Sequence, residues 1–367
     1  MAILGFAFLK KDSFLLQQKR TWHLNLKDKG MIPSASLRVQ DNRIYVSSYY
    51  SPLLLEIDRL SGSIKKEIRV GEHIMSSDLS DNTFYYSIID KKNNYIHALD
   101  VSSGAEEWSQ NIVSPEDRYA PTSIKAASGR VYLNEGLGKV SALDGENGEK
   151  LWSFEPKMLE AASSGDTPLV RASESVVLLG FGDGMVYALD PTSGTELWKF
   201  DTVVRSHPHN IFITDKITYV AASTYSITRG TGEKDIVYAL DTKTGQKKWS
   251  FLTEGNPNTS ITADGEIFYI AKAYGYLQAI SNKDGKELWR LKTDHFPTNL
   301  SVSDGVLYFA INQYDEIFGD KSYLQAVDTK TGKKLWEFKI RDLVSDFDSA
   351  NGTVYFIKRD GELTALK

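Results

Sequence analysis

The sequence predicts an all-β protein: an eight-bladed β-propeller of four-stranded antiparallel blades. One observation is a motif with an Asp, a Gly four residues later and a Trp four residues after that, which recurs along the chain. From Trp108 onward, successive motif tryptophans are 44, 46, 51, 40 and 47 residues apart. Such a period is typical of stacked supersecondary units. The segments around the motif are short, alternating and rich in β-branched and aromatic residues, which favours strands.

The motif predicts a tight hairpin between two strands. Tyr187 to Phe200, YALDPTSGTELWKF, shows it in full. We expect the Asp side chain to accept hydrogen bonds from the backbone amides ahead of it, and the Gly to supply the positive φ that closes the turn. The motif glycines are Gly62, Gly104, Gly148, Gly194, Gly245, Gly285 and Gly332.

The tryptophans of the motif are interpreted as structural. A Trp at one fixed place in each unit is expected to pack between neighbouring units, where its large apolar area stabilises the stack. These residues are Trp22, Trp108, Trp152, Trp198, Trp249, Trp289 and Trp336. Two units deviate, with Lys66 at the Trp place of one and Ser281 at the Asp place of the other.

The two ends of the chain are predicted to complete one blade together. Trp22 matches the Trp strand without a complete turn before it, and the chain ends at Lys367, where the strand before the turn would finish. Pairing these strands would close the ring. We therefore expect one domain over 1–367, with the repeats in 18–367 and an extra N-terminal hairpin or extension in 1–17. A leader peptide is the alternative for 1–17, although its positive charges follow the apolar run.

Composition excludes several classes of function. The net charge of −5 is well mixed, so nucleic acid is not an expected partner. The chain has no Cys, which excludes a disulfide, a thiol nucleophile, a Cys-ligated metal and a lipid-modified Cys within it. No apolar run is long enough for a transmembrane segment. We expect a monomer.

The connections predict that one face of the ring carries the binding site. If the strands of a blade are named a to d from the channel to the rim, the d–a and b–c connections share one face, which we call the long-loop face. The c–d turns are uniformly short, whereas the connections at 155–166, 224–235 and 313–321 are long. Insertions on one side of a repeat toroid commonly mark the binding side. The alternative is neutral variation in exposed loops.

The candidate binding residues lie in or beside these connections. Rigid aromatic side chains and Arg dominate protein interfaces. Converging imidazoles bind metals or anions, but no close ligand spacing supports a metal site here. The candidates are His73, Arg118, Tyr119, His207, His209, Tyr225, Arg229, His295, Phe296 and Tyr314. No Gly-x-Ser-x-Gly or His-Glu-x-x-His element occurs, so no catalytic residue is assigned.

The recurrent ALD-x-x-[ST]-G-x-x-x-W units resemble the PQQ-type quinoprotein repeat, and the count of eight resembles the PQQ-like β-propellers. The match runs from about Trp22 to Lys367. The resemblance implies one of two branches. Quinoprotein dehydrogenases hold PQQ and Ca²⁺ over the channel, and BamB-type propellers are non-catalytic scaffolds that bind proteins. The turn motif belongs to both branches, so it does not decide between them.

The departures from the dehydrogenase pattern favour the second branch. The missing Cys also departs from the BamB pattern, in which a Cys is the site of lipid attachment, so a lipoprotein role is not carried over. The dehydrogenases are much longer, carry an adjacent Cys pair beside the cofactor and have large inserted loops, which this chain lacks. We therefore expect a non-enzymatic propeller without a cofactor that binds protein partners through the long-loop face. The resemblance also implies a location in the cell envelope or outside the cell. The alternatives are a PQQ- and Ca²⁺-dependent oxidoreductase and a carbohydrate- or cell-wall-binding propeller.

Overall fold

The fold prediction is confirmed in a computed structural model of the chain. Eight four-stranded antiparallel sheets form a ring, a β-propeller. The structure describes residues 19–31, 35–71, 74–90, 93–112, 123–136, 138–156, 168–202, 208–223, 234–254, 260–272, 275–315 and 319–367. The predicted extension at 1–17 lies outside them.

Blades 1 to 4 each use four consecutive strands. Blade 1 contains β2 (Ala35–Gln40), β3 (Arg43–Ser48), β4 (Leu53–Asp58) and β5 (Ile64–Arg69). Blade 2 contains β6 (Ile74–Ser80), β7 (Thr83–Asp90), β8 (Asn93–Asp100) and β9 (Glu106–Ile112). Blade 3 contains β10 (Ile124–Ala127), β11 (Arg130–Gly136), β12 (Lys139–Asp144) and β13 (Lys150–Phe154). Blade 4 contains β14 (Leu169–Ala172), β15 (Val177–Gly180), β16 (Met185–Leu189) and β17 (Glu196–Asp201).

Blades 5 to 7 repeat this order. Blade 5 contains β18 (Pro208–Ile213), β19 (Ile217–Ser223), β20 (Lys234–Asp241) and β21 (Lys247–Glu254). Blade 6 contains β22 (Ile261–Asp264), β23 (Ile267–Lys272), β24 (Tyr276–Ser281) and β25 (Glu287–Lys292). Blade 7 contains β26 (Pro297–Ser303), β27 (Val306–Gln313), β28 (Lys321–Asp328) and β29 (Lys334–Ile340).

Blade 8 is completed by both ends of the chain, as the sequence predicts. It contains β30 (Val344–Ala350), β31 (Thr353–Lys358), β32 (Glu362–Leu366) and β1 (Arg20–Asn25). Trp22 pairs with Ala365 across β1 and β32, and the backbones of Lys19 and Lys367 exchange hydrogen bonds of 2.9 and 3.1 Å. A short 3-10 helix, Lys27–Lys29, then leads into blade 1.

The hydrophobic core is divided among the spaces between neighbouring blades. Between blades 4 and 5, for example, Val186 and Trp198 pack with Ile211 and Tyr238. The described residues form eight such clusters, one for each pair of neighbours around the ring. No blade buries its apolar faces alone, so the ring is the unit that folds.

Six motif tryptophans donate a hydrogen bond to the turn of the next blade. The indole Nε1 of Trp198 donates a hydrogen bond of 3.0 Å to the carbonyl of Thr242, directly after the turn Asp of blade 5. The equivalent donor–acceptor pairs are Trp22–Arg59, Trp108–Gly145, Trp152–Pro191, Trp249–Asn282 and Trp289–Thr329. The turn Gly makes this contact possible, because a Cβ on Gly245 would lie 2.6 Å from Trp198 Cδ2.

The same register places a small residue opposite each Trp. Trp198 pairs with Ala188 across the c and d strands of blade 4, and Trp249 pairs with Ala239 in blade 5. The other pairs are Ala98–Trp108, Ala142–Trp152, Ala279–Trp289, Ala326–Trp336 and Ala365–Trp22. The Ala of the ALD motif therefore leaves room for the indole.

Blade 1 replaces this apolar pair with charges. Lys66 stands at the Trp place and pairs in register with Glu56, which is 4% exposed. The Lys66 ammonium donates to the carbonyls of Val101 (3.0 Å) and Ser102 in the turn of blade 2, so it occupies the role of the indole N–H. Glu56 lies 3.9 Å from Lys66 Nζ and 3.3 Å from Arg43 Nε.

The motif Asp organises the c–d turn by accepting hydrogen bonds. Asp190 Oδ1 accepts bonds from the backbone amides of Thr192 (3.0 Å) and Ser193 (2.7 Å) and from the Ser193 hydroxyl (2.9 Å). These bonds, with the Ser193 amide first, hold the pKa of Asp190 below its ordinary value. Equivalent bonds from Ser or Thr lower the pKa of Asp58, Asp100 and Asp328.

These lowered pKa values predict an acid-sensitive stability. Because the native pKa of Asp190 lies below its unfolded value, the ionised Asp stabilises the fold above the unfolded pKa, and this contribution is lost as the pH falls through the native pKa. We expect Asp190→Asn to lower the melting temperature at pH 6, with a difference from wild type that shrinks toward pH 2.5. Thermal unfolding at several pH values measures it. A difference that stays constant with pH would contradict the assignment.

Candidate functional site

The exposed aromatic side chains of the described residues share the long-loop face. Tyr49 and Tyr50 lie in the b–c connection of blade 1, Phe296 in the d–a connection before blade 7, and Tyr314 in the b–c connection of blade 7. Tyr50, Phe296 and Tyr314 are 58%, 55% and 77% exposed. Exposed leucines lie elsewhere, with Leu151, Leu197 and Leu288 in d strands at the outer rim.

A cleft of about 440 Å³ opens on this face where blades 7, 8 and 1 meet. Its lining includes Tyr314 from blade 7, Leu343 and Arg359 from blade 8, and Ala35 and Ser36 from blade 1. It therefore lies across the inner part of three consecutive blades of the ring. An aromatic side chain, an apolar side chain and a guanidinium surround one opening.

Arg359 ties three connections into one wall of the cleft. Its guanidinium lies 2.8 Å from Asp320 in the b–c connection of blade 7 and 3.2 Å from Asp342 in the d–a connection before blade 8. The bond to Asp320 is the main cause that raises the pKa of Arg359. Asp320 also accepts a hydrogen bond of 3.0 Å from the Asp315 amide, and this bond and Arg359 lower its pKa. The connection around Tyr314 is thus held by charge-assisted bonds.

A second set of bonds fixes the floor of the cleft. The Asn312 side chain donates to the Val344 carbonyl at 3.0 Å and accepts from the Ser322 hydroxyl at 2.6 Å. Asp346 accepts a bond of 2.9 Å from the Leu37 amide in the neighbouring blade, while burial raises its pKa. Polar side chains therefore satisfy backbone groups at the inner edges of blades 8 and 1.

The structure places some of the candidate residues on this face. His295, Phe296 and Tyr314 are exposed there, and Phe296 and Tyr314 belong to neighbouring connections of blade 7. His209 lies in β18, the innermost strand of blade 5. The candidates His73, Arg118, Tyr119, His207, Tyr225 and Arg229 lie outside the described residues, so their placement stays a prediction.

Sequence reasoning missed Arg359 and its two carboxylate partners. Asp320, Asp342 and Arg359 come from three separate connections, and no spacing along the chain links them. The available signal was the position of each residue in a d–a or b–c connection. This signal places all three on one face but does not pair them.

Carboxylates of the inner strands are used in bonds within the fold. The described residues contain no group of three His, Asp or Glu side chains placed to hold a metal ion. The inner-strand carboxylates Asp78, Asp346 and Asp348 accept hydrogen bonds from backbone amides of the neighbouring blade. These carboxylates satisfy backbone amides at the inner edges of the neighbouring blades.

The comparisons with known proteins concern the fold and the family. The family model described as outer membrane protein assembly factor BamB matches residues 78–210 and 137–367. No curated protein matches the sequence. None of the helices among the described residues is long and apolar enough to cross a membrane.

Similar solved structures include natural and designed propellers. BamB from Moraxella catarrhalis is 15% identical with a TM-score of 0.69, and the alignment covers 96% of this chain and 100% of that chain. The computationally designed Ika8 protein is 16% identical with a TM-score of 0.73, over 92% and 97% of the two chains. The quinohemoprotein alcohol dehydrogenase ADHIIG from Pseudomonas putida HK5 is 13% identical with a TM-score of 0.63, over 95% of this chain and 76% of that chain. At these identities the likeness concerns the fold alone.

Proposed function

We propose a function from one premise: the chain belongs to the family of the outer membrane protein assembly factor BamB. It is a non-enzymatic propeller that binds protein partners through the long-loop face. The observation that carries this proposal is the placement of the exposed aromatics. Phe296, Tyr314, Arg359, Tyr49 and Tyr50, which we call the aromatic arc, lie on one face from blade 7 through blade 8 to blade 1.

The aromatic arc has the chemistry of an interface hot spot. Tyr and Phe bury large areas with few rotatable bonds, and Tyr and Arg can also form polar contacts. Such residues contribute much of the binding energy at protein interfaces. Tyr314 stands beside a cleft that can receive an apolar side chain between Leu343 and Arg359. Tyr49 and Tyr50 pack edge to face with ring centroids 5.0 Å apart, which restricts both rings.

Pre-organisation supports the same function. The ion pairs of Arg359 with Asp320 and Asp342 hold the wall of the cleft before a partner arrives. Because these connections are already ordered, binding a partner costs less conformational entropy than binding at an unrestrained loop would. We propose that the protein acts as a monomer in the cell envelope, without a cofactor, and this location rests on the family alone.

Site-specific photo-crosslinking tests the proposal. A photoreactive phenylalanine analogue is placed at Tyr50, Phe296 or Tyr314 in separate variants, expressed in the source cells and irradiated. We expect discrete adducts with the same protein partner at two or more of these positions. The matched controls carry the analogue at Leu151, Leu197 or Leu288, which are 44%, 49% and 50% exposed at the rim.

The controls decide what the adducts mean. Adducts at the rim positions as frequent as those on the aromatic arc would contradict a binding face, and an absence of adducts at all three arc positions would contradict the function.

The quinoprotein alternative predicts quenching of protein fluorescence by added PQQ and Ca²⁺ together with dye-linked oxidation. The carbohydrate alternative predicts retention on a glycan array that is lost in Phe296→Ser and Tyr314→Ser.

A further inference from the structure

The register of the strands places one side chain from every blade at the same level of the central channel. Each blade contains a row of four residues that lie opposite one another across the a, b, c and d strands. The d-strand member of the row is the motif Trp, or Lys66 in blade 1. In blade 3, for example, this row is Lys125, Tyr132, Ala142 and Trp152. The inner members, which we call the channel ring, are Arg38, Asp78, Lys125, Arg171, Phe212, Thr262, Ser301 and Asp348.

The charges of the channel ring are uneven. Three cations lie on blades 1, 3 and 4, and the two carboxylates lie on blades 2 and 8. Asp78 is shared, with oxygens 3.6 Å from both Arg38 and Lys125. These ion pairs are longer than a direct hydrogen bond. Asp78 also accepts bonds of 3.1 and 3.2 Å from the Ala126 and Leu79 amides, so its negative charge is divided among four donors.

Arg171 has no ion pair with any carboxylate of the described residues. Its Nε and Nη1 donate to the carbonyls of Ile211 (3.2 Å) and Val170 (3.0 Å), which orients the half-buried guanidinium without neutralising it. Burial, as the largest cause, lowers the pKa of both Lys125 and Arg171. The charge of Asp78 raises both pKa values, and Arg38 lowers them by less than Asp78 raises them. Lys125 and Arg171 are thus cations on neighbouring blades, and among the described residues Asp78 is the one carboxylate that forms an ion pair with either of them.

We propose that the Lys125–Arg171 side of the channel ring binds the anionic oxygens of a small carboxylate or phosphate compound. The bonds to the two carbonyls use Nε and Nη1 of Arg171, so the N–H groups of Nη2 can donate to a ligand. The Lys125 ammonium offers further donors from the adjacent blade. An anion here offsets the repulsion among the three cations. The partly buried position strengthens each bond relative to a surface site.

Isothermal titration with citrate and with inorganic phosphate tests the site, at an ionic strength held constant with sodium chloride. We expect one site per chain with a Kd below about 1 mM for at least one of the two anions. Arg171→Met and Lys125→Met should each weaken binding by about tenfold or more, as expected for the loss of a charge-assisted bond. The citrate and phosphate arms distinguish a carboxylate ligand from a phosphate ligand.

Asp78→Asn is expected to change the anion affinity in the opposite direction. The amide keeps an acceptor for the Ala126 N–H but removes the competing negative charge, so we expect severalfold tighter binding. Lys199→Met, which removes an exposed cation from the outer strand β17, is the matched control and should bind as wild type does. Failure of both anions to bind, a loss in Lys199→Met equal to that in Arg171→Met, or weaker binding in Asp78→Asn would each overturn the proposal.

Discussion

Gly245→Ala is expected to lower the free energy of unfolding by about 2–5 kcal/mol. Gly245 has φ +70°, a left-handed conformation that costs an L side chain about 1–2 kcal/mol. The new Cβ would also lie 2.6 Å from Trp198 Cδ2, so the indole must shift within a packed interface, at a cost of about 1–3 kcal/mol. Denaturant unfolding monitored by Trp fluorescence measures the loss.

Gly104→Ala separates the two contributions. Gly104 has the same place in the turn and φ +77°, but it faces blade 1, whose strand carries Lys66 instead of Trp. Its new Cβ would meet only Ile68 at 3.7 Å, an ordinary contact. We expect a loss of about 1–2 kcal/mol from the backbone alone. Equal losses in the two variants would mean that the Trp contact contributes nothing to the requirement for Gly.

The repeat was predictable from the sequence because its chemistry is local. The Asp, the Gly and the Trp of one motif act within a single hairpin or on the next one, so their spacing is constant. The role of Ala188 and its equivalents was not recognised in advance. An Ala beside Leu reads as an ordinary strand residue until the register shows that it faces Trp198.

The channel ring and the cleft were beyond sequence reasoning for a different reason. Arg38, Lys125 and Arg171 lie in inner strands of blades 1, 3 and 4, 87 and 46 residues apart along the chain. Only the register across each blade brings them to one level. Arg359 and Asp320 likewise meet because connections of the neighbouring blades 7 and 8 lie on the same face. The long-loop face was predictable from the topology, whereas the ion-pair and hydrogen-bond partners of these side chains depend on side-chain packing.

The charged row of blade 1 shows how one departure from the repeat requires another. In the other seven blades a Trp lies opposite an Ala, and in blade 1 Lys66 lies opposite Glu56. A Trp beside Glu56 would meet a larger side chain than Ala and remove a cation from a buried carboxylate. An Ala beside Lys66 would leave the Lys66 ammonium without its carboxylate partner. The pair is expected to be mutually dependent.

Lys66→Trp is therefore expected to destabilise the protein although it restores the consensus of the repeat. An uncompensated buried charge costs about 3–5 kcal/mol, and Arg43 at 3.3 Å from Glu56 offsets a part of it. We expect a loss near 3 kcal/mol in the free energy of unfolding, of about the size of a lost buried ion-pair partner. Lys66→Met, which removes the charge without adding an indole, is the control for the steric part.

Glu56→Ala/Lys66→Trp completes the double-mutant cycle. The double variant recreates the Ala–Trp pair of the other blades, and the new indole N–H can donate to the Val101 carbonyl that Lys66 now contacts. We expect stability close to that of wild type and a favourable coupling energy of about 2–3 kcal/mol between the two substitutions. The four proteins of the cycle are compared by denaturant unfolding. Additive losses would show that Glu56 and Lys66 act independently, and that the small residue opposite each Trp is incidental to how the blades stack.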